Sequence, residues 1–198
     1  MAKEKNPAFG PKIITGEGRC SFPKVAEPDN SKFGQGKYSI DIIFEDESAM
    51  KSLKDGCIAH AKDFYNTDDI SEIKMPWKDG DQMGAKYAGY EGNQWVRAKS
   101  KNEPTVVDPN RKQLDPKKIY GGCDIRLNLT PLAYELEDEV IIVENGQKRK
   151  EKEIIKGVTV LLNAVQFVRD NERFGGGGDG FDDAYTDQET ETDSDGGF

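Results

Sequence analysis

Tyr38-Ser39-Ile40-Asp41-Ile42-Ile43-Phe44 decides how the rest of this chain is read. Its alternation puts Tyr38, Ile40, Ile42 and Phe44 on one face, the period of two that marks a half-buried strand. Just downstream the period changes. Met50, Leu53, Cys57, Ala61 and Phe64 recur at steps of three and four, which makes the single apolar stripe of an amphipathic helix. Asp46 stands where a helix N-cap is needed, and Glu47 falls in the first turn, where the helix dipole favours negative charge. Working outward, Ile13 to Phe22 reads as a strand whose Gly16 and Gly18 permit a sharp bend or bulge. Asn93 to Ser100 alternates again, and Cys123, Ile125, Leu127 and Leu129 share a face. Gly157 to Val168 is apolar enough for a central strand. Val140 to Val143 runs into Glu144-Asn145-Gly146-Gln147, a tight hairpin signal, with a charged returning arm from Lys148 to Glu153. Several short strands and one helix predict a mainly β architecture: a partly open five-stranded OB-type barrel, one helix between strands, and an extra hairpin.

The chain has 198 residues, 35% apolar and 33% charged, which suits one domain with an appendage. No apolar run approaches the roughly 18 residues of a membrane span, and Met1 to Asn6 leads into none, so neither a span nor a secretory signal is expected. Cys20, Cys57 and Cys123 have no paired spacing and read as reduced thiols of a cytoplasmic protein. Net charge is −9, from 28 basic and 37 acidic side chains. Eight of the acids and none of the bases lie from Gly175 to Phe198, so residues 1–174 carry 28 bases against 29 acids, or −1. The predicted division is a domain over 1–174 and a disordered acidic tail over 175–198, hinged at four glycines.

Little in the sequence supports catalysis. His60, the single histidine, falls inside the helix beside the apolar stripe, with no implied orienting partner for general-base work. No Cys/His cluster has metal-ligand spacing, and Asp79-Gly80-Asp81 reads as a turn rather than a calcium loop. No catalytic residue, metal or cofactor is expected. Binding is better supported. In Trp95-Val96-Arg97-Ala98-Lys99 the alternation sends Val96 and Ala98 to the core and Trp95, Arg97 and Lys99 to the opposite face. An indole beside two cations suits unpaired nucleic acid, which needs a π surface for a base and positive charge for phosphates. Such a triplet is often just a solvated sheet face with cation–π contacts. From Arg97 to Lys118 seven bases, among them Lys101, Arg111 and Lys112, face three acids, a local +4. Arg126, Lys12 and Arg19 add charge. Trp77 and Tyr90, with Tyr87 and Tyr120, are open between stacking and core roles. Tyr120-Gly121-Gly122-Cys123 reads as a strand bend. The tail can fold over a basic groove and be displaced by nucleic acid in a salt-dependent way. Phe198 beside its carboxylate, with Asp193 and Asp195, offers a compact anchor for a partner's basic-rimmed pocket.

The strand at 38–44, the helix, the Trp-bearing loop, the Gly-Gly entry into Cys123-Asp124-Ile125-Arg126, the run from Gly157 to Gln166 and the acidic tail ending in Phe198 together resemble one family. It is that of the bacteriophage single-stranded DNA-binding proteins of the podophage replication type. The likeness covers residues 8–198. The resemblance implies an OB-fold protein coating single strands in phage replication, recombination and repair. It also implies a tail that contacts the replicative polymerase and helicase–primase, and homodimers formed by tail exchange. It places DNA contacts on Trp95, Arg97, Lys99, Arg111, Lys112 and Arg126, and partner contacts on Phe198 and its acids. The tail here is short and the hairpin from Glu144 to Lys156 enlarged. Two rivals stand beside this reading. One is a protein-interaction adaptor whose tail only solubilises. The other is a nuclease, which would need clustered carboxylates and a divalent metal.

Overall fold

The structure, a computed structural model, describes residues 8–32, 34–84, 87–144 and 147–174. The alternating stretch forms β3 (Lys37–Phe44), and the helical stripe forms α1 (Glu47–Tyr65). Asp46 caps the helix by accepting from the Ser48 backbone N–H at 2.8 Å. Upstream lie β1 (Ile13–Ile14) and β2 (Gly18–Asp29). Downstream come β4 (Trp77–Asp79), β5 (Gln94–Ser100), β6 (Thr105–Val107), β7 (Asp124–Glu144) and β8 (Gln147–Arg169). Five of the strands are hydrogen-bonded in a ring, β7–β2–β3–β5–β8 and back to β7, the arrangement of an OB-like fold. The ring is antiparallel except where β5 meets β8, with Lys99 beside Leu161. β1 pairs with β7, β4 with β5, and β6 runs parallel to β8.

The ring encloses the core because each strand turns alternate residues inward. Ile40, Ile42 and Phe44, Val96 and Ala98, Ile125, Leu127 and Leu129, and Val158, Val160, Leu162 and Val165 meet there. The helix covers them with Met50, Leu53, Cys57 and Ala61, all fully buried. A buried side chain of this kind contributes roughly 1.5–3 kcal/mol.

Three expectations are altered. The segments at 123–129, 140–143 and 157–168 are not separate strands but parts of one long hairpin, 21 residues in β7 and 23 in β8. Pro131 does not interrupt it. Its carbonyl accepts from Gly10 N–H at 2.8 Å, so its backbone polar groups face the amino-terminal segment and the missing N–H leaves the β8 ladder intact. The ladder ends at Glu144 opposite Gln147, and the turn predicted at Asn145-Gly146 lies outside the described residues. The Ile13-to-Phe22 segment is broken into β1 and β2 at Thr15 to Glu17. Gly16 packs so closely on α1 that a Cβ would lie 2.5 Å from the Ala49 carbonyl oxygen. Lastly, the face of β3 opposite the core is also covered: Asp41 and Ile43 are buried, while Tyr38 is only half-buried.

The Gly-Gly bend is a β-bulge. Gly122 has φ of 110° and donates to Cys20 O at 2.8 Å, and Cys20 N–H donates to Cys123 O at 2.8 Å.

Candidate functional site

The faces of β5 are as the alternation predicts. Val96 and Ala98 enter the core, and Trp95, Arg97 and Lys99 point the other way. The expectation of an open indole is corrected, however: Trp95 is 3% exposed. Ile43 lies directly opposite it on β3, and Tyr90 packs edge-on at 5.3 Å between ring centroids. Phe22, Met83, Tyr87 and Phe174 complete this second apolar cluster. Lys78 and Arg97 sit 5.1 and 5.4 Å from the indole. The loop before β5 and the end of the described chain fold over the outer face, a long-range event that strand periodicity does not encode.

Several other predicted contact residues are engaged in intramolecular contacts, although Arg97 itself remains exposed. Arg97 grips Asp41 with two bonds of 2.6 Å, and Asp41 also accepts from the Tyr90 hydroxyl at 2.9 Å. Burial, then the Asp41 charge, pushes the Tyr90 hydroxyl well above the usual tyrosine range. Tyr90 is 1% exposed, so of its two open roles it takes the core one. Trp77 is half-buried against the main core. Arg19 donates to Gly122 O at 2.7 Å and Glu172 O at 2.6 Å, and stacks over Phe174 at 4.7 Å. It fastens the end of the described chain to the ring of strands.

The remaining predicted cations gather elsewhere. Along β8, Thr159 to Asn163 line one cleft of about 600 Å3, and Ala164 to Gln166 line a second of about 320 Å3. The larger is rimmed by Lys37, Lys99 and Lys101, with Phe9 as its aromatic wall. Phe9 is 59% exposed, held by an isolated bridge to Leu132 of β7. The smaller is flanked by Arg111 and Arg126, with exposed Ile14 at its edge. Asn163 joins the two across the sheet, donating to Asn128 at 3.0 Å and Thr130 at 2.9 Å. Neither cleft is lined by a carboxylate, in a chain with 37 acidic residues. A cleft beside the helix start carries the opposite character, with Glu45 and Glu47 and no cation.

Local structure positions these groups. Asp108-Pro109-Asn110-Arg111 is a turn closed by Arg111 N–H on Asp108 O at 3.0 Å, and Lys112 N–H bonds the Asp108 carboxylate at 2.8 Å. Gln166 anchors the turn to β8 through Pro109 O at 3.3 Å. Arg111 itself has φ of 64°, the left-handed conformation usually left to glycine. Strain of this kind persists where the surroundings hold it, and it concentrates at functional sites. Arg126 is aimed by its bond to Thr15 O at 3.1 Å. Lys112 and Lys12 are exposed but line neither cleft.

Phe9 and Lys37 were not among the residues picked from sequence. Phe9 lies ahead of the first strand in a stretch with no periodicity, and only its pairing to β7 brings it to the cleft. His60 contributes there: its ring is buried, Nε2 lies 2.8 Å from Ala8 O, and Gly10 packs on the imidazole. Among the described residues no His/Cys/Asp/Glu group is placed to hold a metal, and no helix is long and apolar enough to cross a membrane. Asp193, Asp195 and Phe198 lie outside the described residues.

The profile of the family described as Enterobacter phage Enc34, ssDNA-binding protein, matches residues 11–195. Putative protein p50 of Acyrthosiphon pisum secondary endosymbiont phage 1 is 28% identical over 199 residues, covering 91% of this chain and 97% of that protein. Among solved structures, the single-stranded DNA-binding protein from bacteriophage Enc34 in complex with ssDNA aligns with TM-score 0.59 at 23% identity, over 83% of this chain and 89% of that one. The gp2.5 single-stranded DNA-binding protein encoded by bacteriophage T7 aligns with TM-score 0.50 at 16% identity, over 85% and 91%.

Proposed function

Since the chain belongs to the family of the Enterobacter phage Enc34 ssDNA-binding protein, we propose that it binds single-stranded DNA without sequence preference along the two clefts beside β8. The observation that carries this reading is the charge of those clefts: five cations, Lys37, Lys99, Lys101, Arg111 and Arg126, and no lining carboxylate. None of the five is paired with a carboxylate among the described residues. Phosphates replace counterions at such groups, while Phe9 offers a face for one base and Leu132 and Leu161 extend the apolar floor. Asn128, Asn163 and Gln166 add polar side chains to the lining, with the amide nitrogens of Asn163 and Gln166 already donating within the protein. Seven steps of β8, from Thr159 to Gln166, span roughly 23 Å. That holds about seven nucleotides at B-form spacing and fewer when the strand is stretched. Lys112 and Lys12 act as outlying phosphate contacts.

Residues 175–198 form the acidic tail of this reading. It competes with DNA for the clefts and recruits replication proteins such as a polymerase or helicase–primase through Asp193, Asp195 and Phe198. The protein acts non-catalytically in the host cytoplasm, in phage DNA replication, recombination and repair, and homodimers form when tails exchange. Fluorescence anisotropy of labelled oligo-dT and of a duplex, each at two salt concentrations, tests the central claim. Tight, salt-sensitive binding of the single strand is expected. Equal binding of the duplex would overturn the preference for single strands, and no binding to oligo-dT would favour a protein-interaction adaptor.

A further inference from the structure

The main core holds a pair of thiols that DNA binding does not use. Cys20 of β2 and Cys123, the last residue before β7, face each other across the Gly122 bulge, and both are fully buried in the same core cluster. Their strands are joined there by Cys20 N–H on Cys123 O and Gly122 N–H on Cys20 O, each 2.8 Å. Gly122 and Cys123 together oppose Cys20 in the bulge, so the two cysteines are neighbours across the seam, and their thiols are hydrogen-bonded to each other.

We propose that Cys20 and Cys123 are a redox-responsive pair that closes to an intramolecular disulfide under hydrogen peroxide and staples β2 to β7. The Cys123 sulfur attacks one peroxide oxygen, the O–O bond breaks, and a sulfenic acid and water form. The Cys20 sulfur then attacks the Cys123 sulfur. The S–S bond forms and the sulfenic oxygen leaves as a second water carrying the remaining thiol hydrogen. Two thiols lose two electrons in total, and one peroxide gains them.

The electrostatics give the two sulfurs different roles. A hydrogen bond from the Cys20 thiol holds Cys123 below the usual cysteine value against the effect of burial, which favours it as the attacking thiolate. Burial first, and the bond to Cys123 second, push Cys20 up. Cys57 is the internal control: burial alone raises it to about 12. The closed loop would exceed about 100 residues, long enough for a crosslink to restrict the denatured chain strongly. The seam that is stapled also carries Gly122, whose carbonyl receives Arg19, so the docked 171–174 segment is held against a fixed edge.

The test is a thiol titration under denaturing conditions after peroxide treatment and quenching of the native, full-length protein. Titratable thiols should fall from three to one in the parent and from two to none in Cys57→Ala. The product should remain monomeric on a non-reducing gel, and Tm should rise and return to its starting value with dithiothreitol. Persistence of all three thiols, consumption of Cys57, intermolecular crosslinks, or an unchanged Tm after closure would each overturn the proposal.

Discussion

At the scale of single residues, the two aromatics on the outer face divide the labour. Trp95 is sealed by Tyr90, and its indole steadies the packing. Phe9, 59% exposed beside three lysines, has a ring available to a base. Phe9→Ala is expected to weaken oligo-dT binding by about 1–3 kcal/mol with Tm unchanged. Anisotropy and a melting curve on the same sample check both parts. Arg97 and Arg111 divide the same way. Removing Arg97 leaves the buried Asp41 carboxylate with only the Tyr90 hydroxyl, so Arg97→Ala should cost roughly 2–3 kcal/mol of folding stability. It should leave the salt dependence of DNA binding where it was. A shallower salt slope in that variant would return Arg97 to the interface. None of this division was legible in sequence, because Trp95, Arg97 and Lys99 share one strand face and differ only in what the distant Tyr90, Asp41 and Phe174 do above them.

Among the elements, the Asp108-to-Lys112 turn and the start of α1 give opposite lessons. The turn keeps an arginine at φ of 64°. Arg111→Gly should relieve about 1 kcal/mol of backbone strain and raise Tm, yet flatten the plot of log affinity against log salt by about 0.7, one phosphate contact. Higher stability with an unchanged slope would mean that the arginine does not touch DNA. At the helix start, capping is purely local. Bonds from the Ser48 hydroxyl and backbone N–H hold the Asp46 carboxyl below its ordinary value. A depressed folded-state pKa stabilises above the unfolded carboxyl value, and the benefit is lost as pH falls through the folded one. Asp46→Asn should therefore flatten the acid limb of the stability–pH curve, measured by denaturant melts below neutrality. The helix and its cap were readable because every interaction that sets them lies within four residues. A hairpin was readable at Val140 to Glu153, but its full length was not, since Pro131 and the polar run after Tyr134 look like breaks, and at Pro131 it is the amino-terminal segment that occupies the other edge of β7.

For the whole molecule, charge is partitioned rather than averaged. A chain of net −9 presents two clefts with no acid in their walls and gathers eight acids in the segment from Gly175 to Phe198. Deleting residues 175–198 should tighten oligo-dT binding at low salt and matter progressively less as salt screens the tail. Equal affinities for the full and truncated chains at low salt would remove the tail from the competition.

Local pattern was enough to specify a mainly β chain with one capped helix, a core built on alternating apolar residues, a Gly-Gly strand bend before Cys123, and a charge boundary at the glycine hinge. Each of these depends on local periodicity, turn chemistry or composition. Tertiary structure alone decided which cations face solvent together, which aromatic is left bare, and that Cys20 meets Cys123. Those are relations between strands far apart in the chain, set by register and by what folds over each face, and a one-dimensional pattern carries no term for them.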